Sequence, residues 1–227
     1  MEHTANQESA FINGEANNWF NRNRESLGLP ETSIGVRSIT SMLVPFKDEI
    51  STILEIGCCD GSKLREICKK LDAKGFGIDP SPDAISVGNS FPDSEVEVEL
   101  KVGTASKLPF ENAIFDIVYF GFSLYLLDRT NLLQSISEAD RVLRPGGFLV
   151  IQDFNPGVRQ KRPYAHLEGL FSYKNSYADL FTASGHYFEA EKISFSHSRS
   201  SFDKDPHERI SISMLYKETD PYPQTFN

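Results

Sequence analysis

The segment Thr52-Ile53-Leu54-Glu55-Ile56-Gly57-Cys58-Cys59-Asp60-Gly61 decides the fold. Its first five residues are short, β-branched and bounded by a glycine, the pattern of a buried strand. Beyond it, over 62–71, Leu64, Ile67, Cys68 and Leu71 share one face at helical spacing. A glycine turn between a buried strand and a helix N-terminus is where α/β proteins bring backbone close to a ligand. A dinucleotide fingerprint needs glycine at the first, third and sixth positions. Here those positions hold Gly57, Cys59 and Ser62, and the second glycine comes at the fifth, as Gly61. A nicotinamide dinucleotide is therefore disfavoured. A sharp structural turn would use similar glycines, so the loop alone does not decide the ligand.

Strand and helix signals alternate outward from this loop. Residues 75–79 read as a second strand ending in Gly77-Ile78-Asp79-Pro80. An acidic residue about 20 positions after such a loop can accept hydrogen bonds from both hydroxyls of a ribose. Ser81-Pro82-Asp83 starts the next helix, with Ser81 as cap, Pro82 in the first helical position and Asp83 at the positive end of the dipole. With Ser81 capping, Asp79 is left for a ligand; the alternative is an aspartate that serves only the turn. Residues 96–102 alternate like a strand, and 115–120 form an apolar run with one aspartate, a central strand. A helix over 131–143 ends at Arg144-Pro145-Gly146-Gly147, and 148–151 follows as a strand. Strands alternating with helices imply a mostly parallel sheet covered on both faces. Segments 188–195 and 210–216 are two consecutive strands, which predicts a C-terminal antiparallel hairpin.

Composition narrows the function. The chain has 227 residues, enough for one large domain with a small appendage. Its 23 Lys+Arg against 32 Asp+Glu give a net charge of −9, so no global basic field attracts nucleic acid or anionic lipid. No apolar run reaches the length of about 18 residues needed to cross a membrane. The first residues lack the basic and apolar regions of a secretory signal, so a cytoplasmic protein is expected. Cys58, Cys59 and Cys68 have neither a disulfide nor a zinc-ligand spacing, and no metal is expected.

Two further stretches make the set specific: Gly103-Thr104-Ala105-Ser106-Lys107-Leu108-Pro109-Phe110 ahead of Phe115-Asp116-Ile117-Val118-Tyr119, and Arg141-Val142-Leu143-Arg144-Pro145-Gly146-Gly147-Phe148-Leu149. In this order the four segments resemble class I S-adenosylmethionine-dependent methyltransferases of the broad small-molecule type, over about residues 50–153. The resemblance implies a Rossmann-like, doubly wound α/β fold. Its seven-stranded, mostly parallel sheet would lie in three α/β/α layers and end in the antiparallel hairpin. It also implies S-adenosyl-L-methionine as cofactor and S-adenosyl-L-homocysteine as product. Gly57, Cys59 and Gly61 would lie beneath the methionine moiety, anchored by Glu55. Asp79 would take the ribose hydroxyls, with Ile78 or Pro80 flanking the adenine. Thr104, Ala105 and Ser106 would meet the adenine, and Phe120 and Gly121 would offer a main-chain carbonyl to the methionine ammonium. Two positions depart from the family: Thr104 stands where aspartate is frequent, and Cys59 where glycine is common. The first removes a side-chain contact to the adenine amino group.

Methyl transfer from a sulfonium is an in-line displacement, so the protein must align the reactants and remove a proton from the acceptor. The groups that do so lie outside the cofactor motifs. Residues 11–23 resemble the lid of some methyltransferases of bacterial glycan and nucleotide-sugar pathways. That likeness implies that Trp19 and Arg22 close over the donor, Arg22 at its carboxylate; alternatively Trp19 and Phe20 staple the segment to the core. Residues 1–46, broken by Gly-Leu-Pro at 28–30 and with a helix expected over 30–46, would form this helical lid or cap. Residues 47–227 would form the methyltransferase domain, with an acceptor-side insertion at about 154–177. The insertion carries four basic residues and one acidic residue, Glu168. Arg159 and Arg162 would suit an anionic acceptor, or merely a solvated loop. Tyr164 and His166 are candidates for base or substrate orientation. Ser123 and Tyr125 should face the acceptor.

The expected partner is a small polar methyl acceptor carrying a sugar, phosphate or nucleotide, in glycan precursor biosynthesis, bound by a monomer or homodimer. An uncharged acceptor of natural-product or cofactor biosynthesis is the alternative. A non-catalytic cofactor-binding module is a further one. Nucleic acid is opposed by the charge and by Phe120-Gly121-Phe122-Ser123, which replaces the Asn/Asp-Pro-Pro-Tyr/Phe signature of base amino-group modification.

Overall fold

Alternation along the central strands divides the core in two. In β1 (Thr52–Ile56), Ile53 packs to one face of the sheet and Leu54 to the other. In β4 (Phe115–Gly121), Ile117 and Tyr119 join the first core, and Val118 and Phe120 the second. The computed structural model describes residues 6–27, 33–91 and 95–225, so the predicted break at 28–30 lies outside the described residues.

Seven strands form one sheet in the order β3-β2-β1-β4-β5-β9-β8. Strands β2 (Lys74–Asp79), β3 (Val98–Val102) and β5 (Leu143–Phe154) run parallel to β1 and β4. Strand β9 (Arg209–Lys217) pairs antiparallel with both β5 and β8 (Tyr187–Ser196), which is the predicted hairpin. The first core takes residues from α3 (Ile34–Leu43) and α4 (Ser62–Leu71). The second takes them from α6 (Leu132–Val142) and α7 (Ala178–Thr182). Helix α5 (Pro82–Ser90) follows β2, with Ser81 accepting a hydrogen bond from the Ala84 amide as its cap. Chain direction across the sheet reverses between β1 and β4, so the loops at their carboxyl ends part and leave a crevice.

The structure departs from the sequence reading in three places. The turn at Arg144–Gly147 does not separate two elements but lies within β5. Gly146 adopts φ 78°, and the β4 register slips between Phe115 and Ile117, so the sheet absorbs the turn as an irregularity. The insertion at 154–177 is not plain loop. It contains an antiparallel hairpin, β6 (Gln160–Pro163) and β7 (Phe171–Lys174), across which the Lys161 ammonium lies 3.7 Å from the Phe171 ring centroid. The helix expected over 30–46 is α3, followed by a 3-10 turn at Val44–Glu49 carrying Pro45. Ahead of it stand α1 (Gln7–Ala10), a π turn at Phe11–Glu15 and α2 (Ala16–Asn23), bent at Gly14 with φ 139°.

Candidate active site

The crevice holds a cavity of about 470 Å³. Its floor is the loop after β1, where Gly57, Cys59 and Gly61 all have positive φ (81°, 53° and 70°). At Gly57 a glycine is required twice over: the conformation disfavours a side chain, and a Cβ would stand 2.5 Å from Ser123 Cβ. Ser123 in turn donates to the Ile56 carbonyl at 2.8 Å, pinning the end of β4 to the loop. Asp79 is not the free carboxylate that a Ser81 cap implies. One oxygen accepts from the Cys59 amide at 2.9 Å and the other from the Ser81 amide at 2.8 Å, so Asp79 ties the loop to β2 while lining the cavity. Burial pushes its pKa up to about 6, against those two hydrogen bonds.

Glu55 stands beside this floor with 1% of its surface exposed, and its Oε2 has no hydrogen-bond partner among the described residues. Burial pushes its pKa up to about 8; Lys63 opposes the rise, and Asp79 and Asp60 add to it. A Cβ at Gly121 would stand 2.7 Å from Glu55 Oε1, so β4 carries a glycine where the carboxyl group passes. An orphaned buried carboxylate is costly unless a donor or a cation meets it. Both Glu55 and Lys63 line the cavity. A ligand carrying an ammonium and a carboxylate on one carbon, as the methionine end of S-adenosylmethionine does, fits this pair.

The N-terminal segment closes the cavity from above and is fastened on both sides. Asn17 Oδ1 accepts from the Ser81 hydroxyl at 2.7 Å, at the β2 edge. On the opposite side the Gln7 amide donates to Asp128 at 2.6 Å, and Gln7 Nε2 donates to the Leu126 and Phe171 carbonyls. Glu8 accepts from the Ser106 hydroxyl at 2.8 Å and from Asn131 Nδ2 at 2.8 Å. Buried Glu15 accepts from the Tyr164 hydroxyl at 2.8 Å and pairs with Arg22, joining the segment to the β6–β7 hairpin. Trp19 and Tyr125 both line the cavity, and burial and Asp153 hold the Tyr125 ionisation well above the usual range.

The end of the cavity away from the β2 edge is aromatic. Tyr125 and Phe154 meet edge-on at 5.1 Å, Phe122 lies 5.7 Å from Phe154, and the His197 imidazole stacks on Phe154 at 5.5 Å. Lys174 lies 3.8 Å from the Phe154 ring centroid and is itself buried. Beneath these rings Asp153 accepts from the Tyr125 and Phe154 amides, and burial pushes its pKa up to about 7.

Most of the residues expected from sequence meet here. Glu55, Gly57, Cys59, Asp79 and Pro80 line the floor and the β2 edge, with Thr104, Ala105 and Gly121 beside them. Trp19 lies above, Ser123 packs against the floor at Gly57, Tyr125 stands at the aromatic end, and Tyr164 and His166 also line the cavity. Six others do not form the wall. Gly61 and Phe120 are buried behind it, and Ser106 reaches it only through Thr104 and Glu8. Arg22 spends its guanidinium on Glu15 and Tyr164. Arg159 and Arg162 are exposed on or beside the β6–β7 hairpin. The sequence reading missed Glu8, Lys63, Phe122, Phe154 and His197. Lys63 was open to discovery as a cation in the first turn after the glycine loop. The others reach the cavity only through tertiary contacts that no local pattern marks.

Residues 54–151 match a family described as a methyltransferase domain. The chain is 35% identical over 99 residues to a demethylmenaquinone methyltransferase of Staphylococcus aureus, covering 43% of this chain and 40% of that protein. It is 33% identical over 103 residues to a sterol 4-C-methyltransferase of Caenorhabditis elegans, covering 44% of this chain and 30% of that one. The matched stretch thus spans well under half of these relatives' length. Among solved structures, the 1,6-didemethyltoxoflavin-N1-methyltransferase of Burkholderia thailandensis, with bound 1,6-didemethyltoxoflavin and S-adenosylhomocysteine, superposes with a TM-score of 0.69 at 13% identity. That superposition covers 94% of this chain and 91% of the other. Among the described residues no cluster of His, Cys, Asp and Glu is placed to hold a metal, and no helix is long and apolar enough to cross a membrane. Residues 54–151 thus match a methyltransferase-domain family, and the sheet that carries them has the fold of the class I S-adenosylmethionine-dependent methyltransferases.

Proposed function

We propose that the protein transfers a methyl group from S-adenosylmethionine to an oxygen or nitrogen of a small acceptor seated against the aromatic end of the cavity. The observation that carries this reading is the orphaned Glu55 carboxyl, buried between the Gly57 loop and Gly121 and lining the cavity with Lys63. When bound, S-adenosylmethionine supplies an electrophilic methyl group on a sulfonium. The chain's residues do the rest by position. Glu55 would meet the methionine ammonium and Lys63 its carboxylate, the task first expected of Arg22. Asp79 keeps lone pairs for the ribose while its backbone partners hold it still. Thr104 and Ala105 flank the adenine end, where Glu8 brings a carboxylate from α1 in place of the aspartate absent at position 104.

Phe122, Tyr125 and Phe154 provide flat apolar surface, which favours an acceptor with a ring or an apolar face. Trp19 and the fastened N-terminal segment exclude water from above. Tyr164 is a positioning residue: its hydroxyl is committed to Glu15, and burial together with Glu15 holds its pKa well above the usual range. His166, edge-on to Tyr164 at 5.3 Å, is the side chain we assign to remove the acceptor proton. A sugar- or phosphate-bearing acceptor would need cations other than Arg159 and Arg162, which stand outside the wall. The three free thiols support a reducing compartment such as the cytoplasm.

The test is formation of S-adenosylhomocysteine from S-adenosylmethionine with a panel of hydroxylated and aminated ring compounds, neutral and acidic. Turnover with a subset of the panel, reduced at least about tenfold in kcat by His166→Ala, is expected. Absence of turnover in a protein that binds the cofactor tightly would favour a non-catalytic module.

A further inference from the structure

A second depression, of about 430 Å³, opens on the far side of Phe122 and His197, which border both spaces. Gln152 on β5 lies in its floor with only 6% of its surface exposed. The Tyr119 hydroxyl donates to Gln152 Oε1 at 2.8 Å, but among the described residues nothing accepts from Gln152 Nε2. Helix α3 passes so close that a Cβ on Gly35 would stand 2.9 Å from that nitrogen, so the amide is held in place by shape. With no acceptor among the described residues and its surface not closed off, Nε2 is a donor open to a ligand atom in the depression.

The rim supplies further donors. Arg37 on α3 makes no side-chain ion pair or hydrogen bond among the described residues, while Arg199 is paired with Asp203 at 3.1 Å. Ser196 and Ser198 bring hydroxyls 3.2 Å apart. Two guanidinium groups against one carboxylate, with hydroxyls and an unpaired amide, recognise a carboxylate or a phosphate.

We propose that this depression binds the anionic arm of the methyl acceptor, while the part to be methylated lies across Phe122 and His197 in the main cavity. The proposal rests on the methyl-transfer reading and gives the acceptor a chemical class. It is a small molecule with an apolar or ring portion and a carboxylate or phosphate set apart from the reacting atom. Anion recognition then belongs to Arg37 and Gln152, not to Arg159 and Arg162.

Inorganic phosphate, phenyl phosphate and phenol are the probes, titrated into the full chain while the side-chain N–H resonances of Gln152 and Arg37 are followed by NMR. Phosphate should shift both resonances saturably, and phenyl phosphate should bind about tenfold tighter than either phosphate or phenol. Arg37→Ala should weaken phosphate at least about fivefold. Gln152→Glu keeps the acceptor for Tyr119 and the volume beside Gly35, and should abolish phosphate binding. S-adenosylhomocysteine affinity, measured on the same samples, should be unchanged in both variants and shows that they are folded. Unmoved resonances, or variants that bind phosphate like the parent, would overturn the anion site. Equal affinity for phosphate and phenyl phosphate would overturn its assignment to the acceptor. Phosphate binding by a parent protein that does not bind S-adenosylhomocysteine would overturn the methyl-transfer reading on which the assignment rests.

Discussion

The Ser106 hydroxyl donates a 2.8 Å hydrogen bond to Glu8, so a carboxylate from the first helix reaches the turn after β3 where the family's aspartate is missing. Thr104 Oγ1 lies 3.0 Å from Ser106 Oγ and completes the contact. The N-terminal segment thereby supplies a wall of the cavity as well as covering it. Glu8→Ala should weaken S-adenosylhomocysteine binding by about 1–2 kcal/mol, and Thr104→Asp in that background should restore part of the loss. Calorimetry on the two variants checks this, and an unchanged affinity in Glu8→Ala would remove Glu8 from the site.

The same segment is latched at its other end by Glu15 and Tyr164. Tyr164→Phe removes one partner from a buried carboxylate but leaves Arg22 in place. Hydrogen exchange over residues 6–23 should quicken by about tenfold, matching the loss of roughly 1–1.5 kcal/mol of local stability. Exchange in β1 and β4 should not change.

Buried carboxyl groups give the cavity a pH dependence. Glu55 is raised to about 8 and Asp79 to about 6, so the native protein binds protons that the unfolded chain has released. Stability must therefore fall as pH rises from the unfolded values, near 4.5 and 3.8, through the folded ones. For Glu55 the full effect is at most about 4–5 kcal/mol at 1.36 kcal/mol per unit. The ligand-free protein should thus melt several degrees lower at pH 8.5 than at pH 5.5, and Glu55→Gln should flatten much of that difference. Binding a cation beside Glu55 should release protons near pH 7, visible as a buffer-dependent binding enthalpy. Parallel melting profiles for the parent and Glu55→Gln would contradict the assignment.

Gly121→Ala tests the close approach of β4 to Glu55. The new methyl would stand 2.7 Å from Glu55 Oε1 and 2.8 Å from the Tyr119 hydroxyl. A loss of about 1–3 kcal/mol in denaturant unfolding is expected, with cofactor affinity falling alongside it.

Much of this was legible in the sequence because it is written locally. The strand at 52–56, the glycine turn, the Ser81-Pro82-Asp83 helix start and the run at 115–120 each carry a periodicity or a cap of their own, and together they mark the sheet and the floor of the cavity. The rest depends on pairs far apart in the chain. Nothing near Glu8 marks it for Ser106, and nothing near His197 marks it for Phe154. Asp79 looked free because Ser81 caps α5, yet the Cys59 amide of the loop, where Cys59 takes a positive φ, and the Ser81 amide both donate to it. The basic residues of the insertion looked like a substrate contact from charge alone. The hairpin that forms there spends Lys161 on Phe171 and Lys174 on Phe154, and leaves Arg159 and Arg162 in solvent.

Titration calorimetry of S-adenosylmethionine and S-adenosylhomocysteine into the purified chain and its Asp79→Ala variant asks whether the crevice between β1, β2 and β4 holds this cofactor. One site per chain with micromolar affinity is expected, weakened by about 1–3 kcal/mol when Asp79 is lost, with folding checked by an unchanged circular dichroism spectrum. A well-folded parent protein that takes up no S-adenosylmethionine and no S-adenosylhomocysteine would contradict that expectation.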